Sequence, residues 1–309
     1  MSPEEKEKKY KSGFISIIGK PNVGKSTLLN SILSRKVAII SEKPQTTRNR
    51  ITGIKNINGN QLIFLDTPGI HRPKSKLNEY MNATAIQNYN TVDLILIMVD
   101  SNEKSKNQNE LIFKTLRKVK IPVFLLINKI DLIKKERLLP LIDYYQKTGL
   151  KLKKGEGLWV EIIPISALHK EYIDSLLNKI IEILPEGPHL FPDDIDVDHS
   201  EKFMVSEFIR EKAIDMTKQE VPYSLAVLVE SIQEGKKDVL VVDAQIFVER
   251  DSQKGILIGK QGSRLKEIGT KARVDIENWF GAKVYLNLHV KVKKEWSNNA
   301  RDLRELGYS

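Results

Sequence analysis

The sequence predicts an α/β domain, built on a mostly parallel sheet with flanking helices, followed by a smaller α+β domain. Short apolar runs rich in β-branched residues, at 14–18, 62–65, 94–99, 123–127 and 160–165, alternate with longer amphipathic stretches, the pattern of consecutive βαβ units. Pro185, Pro188 and Pro192 then bar a helix or central strand from crossing that segment. Beyond it the periodicities follow the order α-β-β-α-α-β.

The apolar runs lack polar alternation, so each reads as a strand buried on both faces. Helices are expected over 27–33, 107–118 and 172–184, the last with Ile173, Leu176, Leu177, Ile180 and Leu184 on one side. In the second region the pattern predicts a helix over 202–217 and strands over 224–231 and 239–248. A helical stretch over 256–280, broken near 259–262, and a last strand over 283–293 follow. The expected division is a tail at 1–12, a first domain at 13–184, a linker at 185–200, a second domain at 201–294 and a tail at 295–309. Trp296, Leu303 and Leu306 recur near helical spacing, which favours packing of that tail over a membrane contact.

Composition limits the function. The 309 residues suit two domains, and 50 Lys plus Arg against 40 Asp plus Glu give a net charge of +10, which fits an anionic partner. No apolar run approaches the roughly 18–20 residues that span a bilayer, and the charged start has no apolar leader core, so the expectation is a cytoplasmic protein with no integral membrane segment. The absence of cysteine removes disulfides, thiolate nucleophiles and Cys-ligated metals, and five scattered histidines argue against a zinc hydrolase.

The first predicted strand runs into Gly19-Lys20-Pro21-Asn22-Val23-Gly24-Lys25-Ser26, a G-x-x-x-x-G-K-[ST] loop that opens a helix at Thr27. Such a loop turns backbone N–H groups toward phosphates at a helix N-terminus. Lys25 is expected to reach the β- and γ-phosphates, and the Ser26 hydroxyl to coordinate Mg²⁺. Asp66-Thr67-Pro68-Gly69 ends the second apolar run, where Asp66 would hold the Mg²⁺ shell and the Gly69 N–H would meet the γ-phosphate. Asn128-Lys129-Ile130-Asp131 ends the fourth. A carboxylate at Asp131 accepts two N–H groups from guanine, a pattern adenine lacks. Asn128 would bind N7 or brace the loop, and the Lys129 stem would cover the ring. Ser166-Ala167 ends the fifth, with the Ala167 N–H directed to guanine O6. Gly19, Asn22, Val23, Gly24, Lys25, Ser26, Thr27, Asp66, Thr67, Gly69, Asn128, Lys129, Asp131, Ser166 and Ala167 are thus the expected GTP/GDP contacts, at the carboxyl ends of strands where open α/β sheets bind ligands. The polar stretch 41–50 would be a switch loop in which a threonine joins Mg²⁺ only when the γ-phosphate is present.

Pro44-Gln45-Thr46-Thr47-Arg48, the run from Asp66 through Lys74, Val221-Pro222-Tyr223-Ser224-Leu225 and Ile258-Gly259-Lys260-Gln261-Gly262 resemble the Era family of bacterial GTPases over nearly the whole chain. The resemblance implies a Ras-like GTPase domain followed by a type II KH domain. It implies binding of 16S ribosomal RNA near its 3′ end, a role in 30S subunit maturation, and a second possible location on the inner face of the cell membrane. It makes Thr47 the switch ligand of Mg²⁺, so that Lys25, Thr47 and Gly69 carry catalysis and Ser26, Thr47 and Asp66 hold the metal. Ile70 stands where many GTPases have a water-orienting Gln, which implies slow turnover. Asn22 resembles the asparagine that related GTPases use to bind K⁺. The G-x-x-G loop at 259–262 would clamp an RNA backbone, with Lys254, Ile258, Gly259, Lys260, Gln261, Gly262, Arg264 and Lys266 as contacts. Ile256 and Ile258 are expected mainly in the core.

The stretch 147–159 is longer than expected of the family and reads as an inserted basic loop. Charge is uneven: residues 1–190 carry 31 basic and 19 acidic residues, 191–253 carry 7 and 15, and 254–294 carry 10 and 3. The positive part of the second domain coincides with the expected clamp. The basic first half implies a second, less specific contact with the ribosome.

Overall fold

The computed structural model describes residues 10–41, 43, 46–68, 75–87, 91–103, 109–117, 119–153, 157–218 and 221–308. Gly69 and Ile70 lie outside them. The chain forms two compact units that are not contiguous in sequence. One comprises 1–35, 50–67 and 85–198, and the other 36–49, 68–84 and 199–309. The expected switch loop therefore groups with the second region, a departure from the continuous division read from sequence.

In the first unit β1 (Ser12–Gly19), β3 (Asn60–Asp66), β4 (Leu94–Asp100), β5 (Val123–Asn128) and β6 (Glu161–Pro164) run parallel, while β2 (Ile51–Ile57) is an antiparallel edge strand, giving the order β2-β3-β1-β4-β5-β6. Ile15, Ile17, Leu94, Leu96, Phe124 and Leu126 are fully buried, as runs apolar on both faces require. The helices of this unit are α1 (Lys25–Leu33), α3 (Glu110–Leu116), α4 (Leu138–Leu152) and α5 (Ile173–Ile183); α2 (Lys76–Gln87) lies between β3 and β4 in sequence. The apolar pattern does not mark β2, although Asn58 and Gly59 between β2 and β3 have φ of 50° and 81°, as a tight hairpin turn needs.

Two expected segments are held more closely than their composition suggests. The Pro-rich linker expected at 185–200 is bonded to the first unit. Gln61, fully buried, accepts the Leu190 and Phe191 N–H groups at 2.7 and 2.8 Å, and the Ile54 N–H donates to Asp196 O at 2.8 Å. The proline-rich chain thus pairs with groups of the edge hairpin. The described residues of 147–159, expected as a basic loop, are not all loop: α4 continues to Leu152, Leu158 is buried, and the Trp159 indole donates to Tyr145 O at 2.9 Å while meeting Phe113 edge-on at 5.1 Å. Leu158 is buried and Trp159 half-buried against Phe113 and Tyr145, so the stretch after α4 is anchored.

The second unit holds α6 (Glu201–Asp215), the short α7 (Val221–Ser224), β7 (Ala226–Glu234), β8 (Val239–Val248), α8 (Asp251–Ile258), α9 (Ser263–Phe280), β9 (Lys283–Val292) and α10 (Ala300–Glu305). β7 pairs antiparallel and β9 parallel with β8. Met204, Phe208 and Ile209 of α6 and Ile268, Ala272 and Ile276 of α9 are buried with the sheet residues Val242, Ala244 and Ile246. Ser200 starts α6 by accepting the Phe203 N–H. At the end of the chain Trp296, Leu303, Leu306 and Tyr308 pack with Leu77, Met81 and Ala226, and the Trp296 indole donates to Ser224 O at 2.9 Å. This segment is core, as its spacing predicts.

Candidate functional site

The loop between β1 and α1 is shaped by its two glycines. Gly24 caps α1 at φ 103°, and a Cβ there would lie 2.3 Å from Asn128 Nδ2. A Cβ on Gly19 would lie 2.7 Å from Met98 O. Any side chain at either position forces the loop off β4 or β5. Inside the loop Lys25 is buried and its Nζ donates to Gly19 O and Lys20 O at 3.2 and 3.0 Å. Burial lowers its pKa, opposed by Asp66. The hydrogen bonds of the ammonium go to neutral carbonyls, so a bound phosphate would supply its missing counter-charge.

The Ser26 hydroxyl donates to Asp66 Oδ2 at 2.7 Å, while Asp66 Oδ1 is buried without a partner. Burial raises the Asp66 pKa to about 6, against the opposing pull of Lys25 and Ser26. An orphaned carboxylate oxygen beside a hydroxyl is a hard, oxygen-only donor set that fits Mg²⁺. Thr67 serves the sheet instead. Its hydroxyl donates to Ile17 O at 3.0 Å, tying β3 to β1, and it is fully buried.

The residues expected to read the base form a connected frame. Asn128 donates through Nδ2 to Val23 O at 2.7 Å and accepts the Ala167 N–H through Oδ1 at 3.0 Å. Of the two roles open to Asn128, the frame supplies bracing. The Ala167 N–H, expected to face guanine O6, is engaged by Asn128. Lys129 sits at φ 64° with its Nζ on Asp100 Oδ2 at 2.7 Å, and Asp131 Oδ1 accepts the Ser166 hydroxyl at 2.6 Å. Asn22 lies in the loop at φ 64°, and Thr27 stands in the first turn of α1. The first unit thus brings together every expected nucleotide residue except Thr47, which belongs to the second unit, and Gly69.

Within the second unit the expected switch segment is tied down by residues to which sequence reasoning gives no role. Arg48 is 2% exposed and donates to Leu225 O, Tyr223 O and Pro222 O at 2.6, 3.0 and 3.2 Å and to the Tyr308 hydroxyl at 3.3 Å. Its guanidinium lies 5.8 Å from the ring centres of both Trp296 and Tyr308. Arg210, 1% exposed, donates to Thr46 O at 2.5 Å and pairs with Glu207 at 2.6 Å. Thr46 and Thr47 are buried. α6 also carries Glu201, Lys202, Glu211, Lys212 and Asp215, so the i, i+3 Glu207–Arg210 pair does not stand out in the sequence.

The G-x-x-G loop joins α8 to α9. Gly259 and Gly262 have φ of 72° and 78°, Gln261 has φ 49°, and a Cβ at 259 would lie 2.9 Å from Arg264 Cβ whereas one at 262 meets nothing within 4 Å. Gly259 is therefore needed for closeness within the loop, and Gly262 leaves an open approach. Lys260, Gln261 and Lys266 are exposed, Lys254, Ile258 and Arg264 half-buried, and the Arg264 guanidinium donates to Ile256 O. The core contact of α8 is Leu257, fully buried, while Ile256 is exposed, which corrects the expectation for Ile256.

A Ras-like sheet order with a phosphate loop, an aspartate and a base-reading frame at its carboxyl edge, followed by a helix–G-x-x-G–helix module, defines a P-loop GTPase joined to a KH domain. Profile comparison agrees: the family described as 50S ribosome-binding GTPase matches residues 14–129, and the KH domain family matches 220–297. The chain is 51% identical to the GTPase Era of Geotalea uraniireducens over 98% of its length and 99% of that protein, and 48% identical to that of Staphylococcus haemolyticus over 97% of each. A crystal structure of Era with MgGDPNP and nucleotides 1506–1542 of 16S ribosomal RNA superposes with a TM-score of 0.91 at 44% identity, covering 97% of this chain and 99% of that one. A single-substitution variant of Aquifex aeolicus Era bound to GDP·AlF₄⁻ aligns with the same TM-score and identity. The chain belongs to the Era family. Among the described residues no helix is long and apolar enough to cross a membrane.

Proposed function

We propose that this protein is a GTP-switched RNA-binding factor that hydrolyses GTP slowly, with Mg²⁺ as cofactor, and binds 16S ribosomal RNA near its 3′ end during 30S subunit assembly. One observation carries the switch: residues 46–48, the segment expected to respond to the γ-phosphate, are built into the same compact unit as the KH module through Arg48 and Arg210. A change of nucleotide that moves Thr47 must then disturb buried contacts of the RNA-binding unit. The small subunit is favoured because the Era structure that matches almost the whole chain contains 16S RNA.

Bound Mg²⁺ would neutralise charge on the β- and γ-phosphates. Lys25 holds the phosphates, Ser26 and Asp66 offer oxygens to the metal, Thr47 joins them in the GTP state, and the Gly69 N–H meets the γ-phosphate. Asp131 selects guanine. The functional modules are taken as 13–184 and 201–294, with 36–49, 68–84 and the tail at 295–309 grouped structurally with the second. The place of action is the cytoplasm, with peripheral contact at the inner face of the cell membrane as the second location; the burial of Trp296, Leu303 and Leu306 favours the first.

The RNA reading is tested at the clamp. Gly262→Asp adds a carboxylate where space is open but the approach of phosphates is required. RNA affinity is expected to fall at least tenfold with GTP affinity unchanged; equal RNA affinity in a filter-binding titration refutes the KH reading. A second expectation concerns Asn22: turnover should be faster in K⁺ than in Na⁺ buffer at equal ionic strength, and equal rates remove K⁺ from the account.

A further inference from the structure

The anchored extension of α4 gives the first unit a feature that the nucleotide site does not use. Residues 114–120 carry Lys114, Arg117, Lys118 and Lys120 with no acidic residue, and residues 147–154 carry Lys147, Lys151, Lys153 and Lys154 with none. The structure brings the two stretches together: Arg117 Nε donates to Leu152 O at 3.0 Å, and Trp159 bridges Phe113 of α3 and the Tyr145 carbonyl of α4. Gly149 permits this closeness, since a Cβ there would lie 2.6 Å from Trp159 Nε1.

Lys114 and Lys147 are paired one turn back, with Glu110 at 3.1 Å and Asp143 at 2.7 Å. Among the described residues Arg117, Lys120, Lys151 and Lys153 make no ion pair, and Arg117, Lys120 and Lys151 are exposed. Helix dipoles do not absorb this charge: a helix C-terminus presents roughly half a negative charge, so two ends offset about one of at least four unpaired cations. Like charges gathered around one hydrogen bond repel one another unless an anion is shared between them.

We infer that the joined ends of α3 and α4 form a second RNA-backbone contact, which grips phosphates of the ribosomal RNA without reading sequence while the KH loop holds its own segment. This rests on the proposed RNA-binding function. RNA is favoured over an anionic membrane because the aromatic side chains of the extension are turned into the core rather than outward: Trp159 and Tyr145 are engaged with Phe113. Leu150 and Val160 are exposed on the same stretch, but neither is aromatic, and a surface dominated by lysines with no exposed aromatic anchor suits a phosphate chain better than a bilayer. Two weak contacts on one chain reinforce each other through effective concentration, so the second need not bind tightly alone.

The test uses the full chain carrying Lys120→Gln, Lys151→Gln and Lys153→Gln together. All three side chains lie outside the hydrogen bonds that anchor the extension, and an unchanged melting temperature checks the fold. Binding to intact 16S RNA is measured from low to moderate salt, beside binding to a single strand just long enough for the KH groove, about four nucleotides. The expected result is a salt slope shallower by about two, at roughly 0.7–0.9 for each phosphate no longer neutralised, with at least tenfold weaker binding of the long RNA at low salt. Affinity for the short strand stays the same. An unchanged slope overturns the inference, and if the same variant also ceases to bind phosphatidylglycerol vesicles, the patch belongs to membrane instead. If the native chain fails to bind the short strand, the KH reading fails, and the slope on long RNA still decides the patch by itself.

Discussion

Lys25→Met is expected to lower GTP affinity by two to three orders of magnitude while leaving the nucleotide-free protein as stable as the native one, or more so. The side chain is buried with carbonyl partners, and burial lowers its pKa. A lysine whose folded pKa is depressed makes an unfavourable contribution to folding that is fully present at pH values below its folded pKa and fades as pH rises through the unfolded one. An apolar side chain of similar length removes that cost. Bound phosphate reverses the sign, since removing one partner of a buried charge pair costs about 2–5 kcal/mol, and about 1.4 kcal/mol is tenfold in affinity. Calorimetric titration with a GTP analogue and thermal melts without nucleotide measure the two halves. A destabilised apo protein with normal GTP affinity would mean that Lys25 is a structural residue.

Arg48→Met should have the largest effect on stability. Three backbone carbonyls, of Pro222, Tyr223 and Leu225, lose their donor inside the second unit, and the stack with Trp296 and Tyr308 loses its cation. Each buried acceptor left unpaired costs about 1–3 kcal/mol, so a destabilisation of at least ~3 kcal/mol is expected by denaturant unfolding. Lysine should rescue little, since one ammonium cannot reach three diverging carbonyls as a planar fork does. The substitution also frees the segment around Thr47 from the KH unit, so RNA affinity should become less sensitive to nucleotide. A destabilisation below about 1 kcal/mol, the low end for a single unpaired acceptor, would show that the carbonyls re-pair and that Arg48 does not fasten the segment.

The central strands, the phosphate loop and the base-reading motifs are legible in the sequence because each depends on local pattern: apolar runs buried on both faces, and glycines whose missing side chains are needed within a few residues. β2 escapes that pattern although the Asn58-Gly59 turn signals a hairpin, because 51–57 lies at a sheet edge and lacks the apolar density of a central strand. The parity of α8 is ambiguous because Ile256, Leu257 and Ile258 are equally apolar; only the packed helix selects Leu257. The segment after α5 and the extension after α4 look like loops from their prolines and lysines, whereas Gln61, distant in sequence, holds the first and Trp159 packs the second onto α3 and α4. Arg48 is visible as part of a motif, and Arg210 only as one charge among several in α6. What they bind is a set of carbonyls and a neighbouring loop remote in sequence, which no local pattern encodes.

The most direct test of the account is the affinity of the native chain for the 3′ segment of 16S RNA, measured with saturating GDPNP and with saturating GDP, both with Mg²⁺. Linkage requires that the ratio of the two RNA affinities equal the ratio by which RNA changes the relative affinities for the two nucleotides, and coupling of about 1–3 kcal/mol corresponds to about 5–150-fold. The account predicts tighter RNA binding with GDPNP, by at least fivefold, and the same factor from both directions. Equal RNA affinity in the two nucleotide states would contradict it, leaving a GTPase and an RNA-binding domain that share a chain without a switch.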